Sequence, residues 1–271
     1  MDSDPIIGVL GGMGPYAGLD LVRKIFDQTR AGVDQEHLPV AMLSYSHRIQ
    51  DRSAFLFGEA AENPAHAIAD VARRLDGLGA TVVGLPCNSA HAPPIFDAVR
   101  AQLCASGHQI RLLHMIEEAA RFARETVNGI RRIGALSTLA THRLGLYRQA
   151  IEAAGFEAVM PDEDQARLVH RAIYEPVYGI KAQSNPVTET ARGLLLDAIA
   201  HLRDEGAEAV MLGCTELPLA VSEPIIDDTL LIDPTLALAR ALIRETYPNS
   251  LQPLMNAATA DGRDTMDATR A

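Results

Sequence analysis

Short apolar runs rich in β-branched residues alternate along the chain with stretches in which apolar residues recur at helical spacing. This spacing is clear at Ile68, Val71, Leu75 and Leu78, directly ahead of a β-rich run. Regular alternation of strands and helices is typical of parallel sheets, because a helix carries the chain back between neighbouring strands. The pattern predicts eight strands, at residues 6–10, 40–43, 81–85, 110–113, 132–136, 157–160, 209–212 and 230–232.

The chain also contains an internal repeat. Residues 79–87 (GATVVGLPC) align without gaps on residues 206–214 (GAEAVMLGC), and each copy ends in a cysteine. Two matching strands, IGVL at 7–10 and IGAL at 133–136, precede these copies, and their glycines lie 79 and 80 positions before the two cysteines. Recurrence of a common helix-to-strand joint is the alternative for the first motif alone. The agreeing offsets favour two related halves.

Two related halves predict an α/β protein of two pseudo-symmetric domains, each a four-stranded parallel sheet flanked by helices. Ligands bind beyond the carboxyl ends of parallel strands, so the active site is expected in the cleft between the domains. We assign residues 1–113 and 228–248 to the first domain and residues 114–227 to the second. Residues 249–271 have little periodicity and are expected to form a flexible tail.

Composition and charge narrow the class of protein. The 271 residues are 48% hydrophobic, which suits one large or two medium globular domains. The net charge of −11, with no block of Lys or Arg, disfavours nucleic acid and anionic membranes as partners. We expect a soluble, cytoplasmic protein, because no basic leader or membrane-length apolar stretch is present. Three cysteines in a chain of this length do not suggest a disulfide framework.

The two repeated cysteines are the strongest candidates for chemistry. Cys87 is followed by Asn-Ser and Cys214 by Thr-Glu, so each thiol lies where a strand ends and capping residues can start a helix. We expect the helix N-termini to lower the thiol pKa and to bind a carboxylate. A pair of thiols on opposite sides of a ligand suits racemisation, in which one base removes the Cα proton and an acid protonates the other face.

Other assignments for the cysteines are weaker. A single cysteine at the end of a buried strand is usually an inert core residue, and we assign Cys104 to that class. Zinc is disfavoured, because only His91 lies at close ligand spacing from a repeated cysteine. No metal site is expected.

Three motifs in order resemble the aspartate racemases of the aspartate/glutamate/hydantoin racemase superfamily. They are residues 7–15 (IGVLGGMGP), 86–91 (PCNSAH) and 212–219 (LGCTELPL), and the likeness extends from about residue 6 to residue 243. The resemblance implies racemisation of an amino acid by Cys87 and Cys214 without pyridoxal phosphate or any other cofactor. It also implies a homodimer. By analogy, Cys214 deprotonates the L form and Cys87 the D form.

The resemblance also implies two cationic contacts for an acidic substrate. The DRS sequence at 51–53 matches the family segment whose arginine grips the side-chain carboxylate, which indicates Arg52. The segment 174–181 is similar to the family's Y-x-x-I-K segment, which indicates Lys181. His91 is a secondary acid/base or supporting candidate. The remaining expected substrate contacts are Met13, Asn88, Ser89, Thr138, Thr215 and Glu216.

Several residues depart from the family pattern. Ser89 replaces a more usual Thr, Gly18 lies where Thr is common, and Leu144 replaces a Ser. The last change suggests an altered side-chain preference, so a broad-specificity amino-acid racemase is the alternative. A strict glutamate racemase is disfavoured, because Gly11-Gly12 lies where Asp-Ser is usual and Glu216 where His is usual.

Other functions stay open on the sequence. The spacing of Gly8, Gly12 and Gly14, with Arg48 downstream, also fits an NADP-binding turn, but Pro15 and the repeated cysteines argue against it. A single-cysteine decarboxylase or isomerase, or an amino-acid-binding protein without catalysis, would use the same fold. Retention of both cysteines counts against these alternatives.

Overall fold

The computed structural model describes residues 4–254, which form nine β-strands and eleven α-helices. Each of the eight predicted strands is present to within one residue at either end. The strands are β1 (Ile6–Gly11), β2 (Val40–Ser44), β3 (Ala80–Gly84), β4 (Arg111–Leu112), β5 (Arg132–Ser137), β6 (Glu157–Val159), β7 (Ala209–Gly213), β8 (Ile225–Ile226) and β9 (Thr229–Ile232).

The helices connect the strands in the alternating order that the sequence predicts. They are α1 (Pro15–Asp27), α2 (Arg52–Leu56), α3 (Ala65–Gly77), α4 (Pro93–Ala105), α5 (Met115–Thr126), α6 (Leu139–Arg143), α7 (Leu146–Ala153), α8 (Glu163–Tyr174), α9 (Glu189–Asp204), α10 (Leu217–Ala220) and α11 (Pro234–Thr246). Within residues 4–254, every helix is too short or too polar to cross a membrane.

The strands form two sheets of duplicated topology. The first sheet has the order β2-β1-β3-β4 and the second has the order β6-β5-β7-β9-β8. All pairs are parallel except β8 with β9. The predicted α/β fold with two pseudo-symmetric parallel sheets is therefore confirmed, and the second sheet carries one additional antiparallel strand. β8 is only two residues long, and its connection to β9 turns on Asp227 and Asp228, both with positive φ.

The sequence repeat has a physical basis in the backbone. Its first residue, Gly79 or Gly206, follows α3 or α9 and has a φ of 91° or 92°. Glycine adopts this left-handed conformation without a steric cost, so it ends the helix and directs the chain into the next strand.

Each sheet is covered by helices on both faces. In the first sheet, α3 and α4 pack on one face and α1 and α11 on the other. In the second, α8 and α9 oppose α5 and α7. The predicted core positions Ile68, Val71 and Leu75 are buried, but Leu78 is 52% exposed. Leu78 lies at the C-cap of α3, beyond the last turn that faces the sheet.

The chain crosses between the halves at Asp233. β9 pairs with β7 in the second sheet, although the predicted boundary placed residues 228–248 in the first domain. α11, by contrast, packs against α1 and the first sheet. Asp233 caps α11 and its carboxylate lies 2.5 Å from the buried Lys24 ammonium on α1. Within this segment, β9 therefore belongs to the second sheet, whereas α11 and the following Tyr247 associate with the first.

The segment that follows α11 is anchored to the end of α1. The backbone N–H of Gln252 donates to the backbone carbonyl of Gln28 at 2.9 Å, and Leu251 forms an antiparallel β-bridge with Thr29. Residues 249–252 therefore differ from the flexible tail that the sequence predicted, because their backbone groups find partners on the first half. Residues 255–271 of the predicted tail lie outside the described residues.

Candidate active site

Cys87 and Cys214 occupy equivalent places in the two halves. Cys87 lies three residues after β3, and Cys214 directly follows β7. Both are buried, with 5% of each residue exposed. A 3-10 turn over Asn88–His91 follows the first cysteine, and the four-residue helix α10 begins shortly after the second.

The fold brings the two cysteine segments together. Thr215, next to Cys214, donates its hydroxyl hydrogen bond to the carbonyl of Pro86, next to Cys87, at 3.3 Å. Both segments lie at the carboxyl ends of strands, the edge where parallel α/β sheets present ligand sites. The segments that carry the two thiols are therefore in contact where the two halves meet.

The Cys214 thiol is hydrogen-bonded to the ion pair of Glu216 and Lys181. The thiol donates to Glu216 Oε2 at 2.9 Å, and Lys181 Nζ donates to Glu216 Oε1 at 2.7 Å. Burial and the Glu216 carboxylate raise the pKa of the Cys214 thiol well above its usual range. The expectation of a lowered pKa was wrong for Cys214, because α10 provides only a short helix terminus whereas burial and a neighbouring carboxylate both disfavour the thiolate.

The Glu216–Lys181 pair remains charged although Glu216 is buried and Lys181 is half-buried. Burial opposes the carboxylate, but Lys181 and the Cys214 thiol together hold the pKa of Glu216 below its usual value. Burial likewise opposes the ammonium, but the Glu216 carboxylate and Tyr174 raise the pKa of Lys181. A carboxylate and an ammonium in direct contact stabilise each other's charged form.

Arg52 lies beside the other cysteine. Its Nη2 donates to the Met13 carbonyl at 3.1 Å and its Nη1 to the Gln50 carbonyl at 3.3 Å, while its buried Nε has no hydrogen-bond partner among the described residues. Burial disfavours the guanidinium charge, but the neighbouring Cys87, Tyr174 and Asp51 side chains outweigh it and raise the pKa of Arg52. A cation therefore adjoins each thiol, Arg52 at Cys87 and Lys181 at Cys214.

A cavity of about 440 Å³ opens on these cations. The wall includes Arg52, Lys181, Glu216 and residues 12–14 of the first sequence motif, which contain the expected contact Met13. The cysteines lie behind this wall, and each interacts with one of the lining residues, Cys214 with Glu216 and Cys87 with Arg52.

Ser89 and Thr138 meet at the boundary between the halves. Ser89 Oγ lies 3.1 Å from Thr138 Oγ1 and 3.0 Å from Thr141 Oγ1, and the two threonine hydroxyls are 3.0 Å apart. All three side chains are buried. They join the 3-10 turn after Cys87 to the start of α6, so Thr141 is a member of this cluster that the sequence did not single out.

His91 supports the backbone behind Cys87. Its Nδ1 lies 3.0 Å from the Cys87 carbonyl oxygen and its Nε2 lies 3.3 Å from the Leu113 carbonyl oxygen. Burial and the neighbouring His114 lower the pKa of His91 to about 3. The neutral, backbone-bonded ring fits the supporting role considered from the sequence rather than an acid/base role.

Two other side chains differ from expectation. Cys104, assigned to the core, is exposed on α4. Leu144, expected beside the cleft, is 39% exposed at the end of α6. Helical spacing alone does not identify the solvent face of a short amphipathic segment, because the facing elements decide it.

Sequence reasoning missed two tyrosines near the site, the partly buried Tyr174 and the buried Tyr147. Tyr174 donates to Asp51 Oδ2 at 3.1 Å, and its ring centroid lies 5.3 Å from Lys181 Nζ. Tyr147 donates to Asn88 Oδ1 at 2.6 Å. Within residues 4–254, no cluster of three or more His, Cys, Asp or Glu side chains is arranged to hold a metal ion.

Comparison with known proteins gives one family match. The model of the Asp/Glu/Hydantoin racemase family matches residues 10–242. The chain is 24% identical over 251 residues to the broad specificity amino-acid racemase RacX of Bacillus subtilis, which covers 89% of this chain and 98% of that protein.

Solved structures of similar fold include an aspartate racemase and a homologue of that enzyme. The Picrophilus torridus aspartate racemase superposes with a TM-score of 0.73 at 28% identity, covering 89% of this chain and 94% of that one. An aspartate racemase homologue from Pyrococcus horikoshii OT3 shares the fold, with a TM-score of 0.64 at 23% identity over 89% of this chain and 98% of its own.

Proposed function

Because this chain belongs to the Asp/Glu/hydantoin racemase family, we propose that it interconverts the L and D forms of aspartate or a related acidic amino acid. The proposed chemistry uses Cys87 and Cys214 as an acid/base pair and no pyridoxal phosphate. The arrangement of the two thiols carries this proposal. They follow equivalent strands, their segments are in contact, and a cation adjoins each of them.

In the proposed reaction, the thiolate of one cysteine takes the proton from Cα and breaks the C–H bond. The electron pair is delocalised into the α-carboxylate as a carbanion-like species. The thiol of the other cysteine then gives its proton to the opposite face, which forms the new C–H bond and leaves a thiolate. Each turnover therefore exchanges the protonation states of the two thiols, so the reverse reaction uses the same groups.

The pKa of Cys214 suggests its starting role. Burial and Glu216 keep this thiol protonated in the ligand-free protein, so Cys214 begins as the acid and Cys87 as the base. Arg52 is the cation that lies beside Cys87. Glu216 Oε2 accepts the hydrogen bond of the Cys214 thiol in this state, and Lys181 holds that carboxylate in place.

Arg52 and Lys181 also support an acidic substrate. The protein carries a net charge of −11, so an anionic amino acid needs local cations to enter the cavity. In the part of the chain that the structure describes, the Arg52 Nε–H has no acceptor, and Arg52 lines the cavity, which suits a contact with a side-chain carboxylate. Asn88, Ser89 and Thr215 are the proposed neighbours of the α-carboxylate and α-amino groups, with Met13 and Thr138 beside them.

A broad-specificity amino-acid racemase is the second candidate. Lys181 is already neutralised by Glu216, and the Arg52 Nη atoms already donate to backbone carbonyls. Because both cations already have acceptors within the protein, a substrate with a second carboxylate gains less from them, and a neutral amino acid would lose less. We also propose a cytoplasmic homodimer, since the resemblance implies the dimer and three free cysteines suit a reducing compartment.

Exchange of the α-hydrogen in D₂O tests the proposal. Purified protein without added pyridoxal phosphate is expected to incorporate deuterium at Cα of aspartate and to convert either enantiomer to the racemate. Cys87→Ser and Cys214→Ser are each expected to lower this activity by about 100-fold or more, because a hydroxyl is a far weaker acid than a thiol. Cys104→Ser is the matched control and is expected to retain full activity, since Cys104 is exposed on α4.

A single cysteine variant with full activity would contradict the two-base reaction. The same assay across acidic, neutral and basic amino acids separates the two candidate functions. Turnover confined to acidic amino acids supports the aspartate proposal, and comparable turnover of neutral ones supports broad specificity. Binding without exchange of any amino acid would leave an amino-acid-binding protein in their place.

A further inference from the structure

Tyr147 joins the two cysteine segments from the second half of the molecule. It projects from α7 and is 1% exposed. Its hydroxyl donates to Oδ1 of Asn88, the residue after Cys87, at 2.6 Å. Its ring packs on Gly213, the residue before Cys214, so closely that a Cβ on Gly213 would lie 2.5 Å from the ring.

The hydrogen bond from Tyr147 determines which end of the Asn88 amide is free. Oδ1 is occupied by the phenol, whereas Nδ2 is buried without a hydrogen-bond partner among the described residues. A buried donor that lacks a partner is energetically costly, so such a group usually has a ligand or another role. A side-chain amide held by its oxygen can offer only its N–H groups, which suit a carboxylate.

Tyr147 is well suited to this task because it stays a donor. Burial raises the pKa of its hydroxyl well above the usual value, so the phenol remains neutral at physiological pH. The ring cannot withdraw easily, because it lies between the second sheet and α7 with Ile133, Ala135 and Ile151 in the same buried cluster.

Resting on the proposed function, we propose that Tyr147 is a positioning residue that orients Asn88 so that Nδ2 donates to the substrate carboxylate beside Cys87. Tyr147 itself does not touch the reacting atoms. It affects binding only through its hydrogen bond to Asn88. Because its ring packs on Gly213, the orientation of Asn88 depends on the segment that carries Cys214.

A double-mutant cycle on the full chain tests this role. Dissociation constants of racemic aspartate are measured by titration calorimetry for the wild type, Tyr147→Phe, Asn88→Ala and the double variant. Tyr147→Phe is expected to weaken binding about 3- to 10-fold, the range for one neutral hydrogen bond. In the Asn88→Ala background the same substitution is expected to change the dissociation constant by less than about twofold, because the side chain that Tyr147 orients is absent.

Tyr247→Phe is the matched control. Its hydroxyl donates to the backbone carbonyl of Pro5 at 2.7 Å, away from the cysteine segments, so its loss is expected to leave aspartate binding unchanged. Equal losses from Tyr147→Phe in both backgrounds would assign a purely structural role to the phenol and overturn the inference. An unaltered dissociation constant in Tyr147→Phe would overturn it as well.

Binding and α-hydrogen exchange are measured on the same samples to separate the two proposals. Wild-type protein that binds aspartate without exchange would defeat the racemase proposal, while the cycle still decides the role of Tyr147. Wild-type protein that binds neither enantiomer would defeat the positioning role directly.

Discussion

At the scale of single residues, the surroundings of Cys214 outweigh its position at a strand end. A helix N-terminus favours a thiolate by a small electrostatic contribution that falls off within the first turn. Here α10 has four residues, and the thiol is buried next to the Glu216 carboxylate. Desolvation and a like charge both favour the neutral thiol, and both effects grow in an interior of low dielectric constant.

This raised pKa predicts a loss of stability at alkaline pH. The unfolded thiol ionises near pH 8.5, whereas the folded Cys214 holds its proton to a higher pH. The neutral thiol therefore contributes its full stabilisation to the free energy of unfolding below about pH 8.5. Above that pH the contribution declines by at most about 1.4 kcal/mol per pH unit. Urea unfolding of the wild type between about pH 8 and 10 is expected to show this decline.

The matched comparison is between Cys214→Ser and Cys104→Ser. Cys214→Ser is expected to reduce the decline, because serine does not ionise in this range. Cys104→Ser removes an exposed thiol and should leave the decline of stability with pH unchanged. Parallel pH profiles for the wild type and Cys214→Ser would contradict the assigned pKa direction.

At the scale of elements, close packing between β7 and α7 fixes the carboxyl end of the second sheet. Gly213 ends β7 at a point where any side chain would meet both the Tyr147 ring and the Leu136 carbonyl oxygen, at 2.5 and 2.8 Å. Overpacking of a rigid site costs about 1–3 kcal/mol, because neither a backbone carbonyl nor a buried ring can move without further losses.

Gly213→Ala is therefore expected to lower the free energy of unfolding by about 1–3 kcal/mol, measured by urea denaturation. Gly193→Ala is the matched control. Gly193 lies within α9 with open space around the site of a Cβ, so alanine there is expected to stabilise the protein by up to about 1 kcal/mol. Similar effects from the two substitutions would refute the steric account.

A buried ion pair joins α1 to the start of α11. Lys24 contacts both Asp20, one turn earlier on α1, and Asp233, the cap of α11. Lys24→Met would leave these carboxylates without their shared cation and is expected to cost about 3 kcal/mol of stability. Arg23→Met removes a neighbouring, mostly exposed cation and is expected to cost less than about 1 kcal/mol, so thermal melts of the two variants should differ clearly.

At the scale of the whole molecule, the two sheets are coupled by the chain path and by the site. The chain leaves β9 of the second sheet and immediately forms α11 on the first. Side-chain hydrogen bonds also cross between the halves near the cysteines, among them those from Tyr147 to Asn88, between Ser89 and Thr138, and from Thr215 to Pro86. Separate unfolding of either half would break all of these contacts.

A single cooperative unfolding transition is therefore expected despite the two sheets. Far-ultraviolet circular dichroism and near-ultraviolet tyrosine absorbance should give coincident thermal curves. Lys24→Met, which alters only the α1–α11 contact, should shift both curves together to lower temperature. Two resolved transitions, with only one moved by this substitution, would show that the halves unfold independently.

The sequence by itself determined the elements, their duplication and the positions of the two thiols. Strand and helix periodicity depend on neighbours within a few positions, so eight strands could be placed from local pattern. The repeat that ends in Cys87 and Cys214 predicted two sheets of matching topology, because equivalent sequences form equivalent strand ends. The short β8 lacked such a signal, since a two-residue strand has no periodicity.

The tertiary structure alone decided which charges and hydroxyls surround those thiols. Lys181 and Glu216 pair across 35 positions, and Tyr147 reaches Asn88 across 59. Cys104 is exposed for a related reason, because the facing elements decide which side of a helix is buried. Such contacts depend on how separate elements pack, and the resulting burial and charge set the protonation of Cys214, which no local pattern of residues encodes.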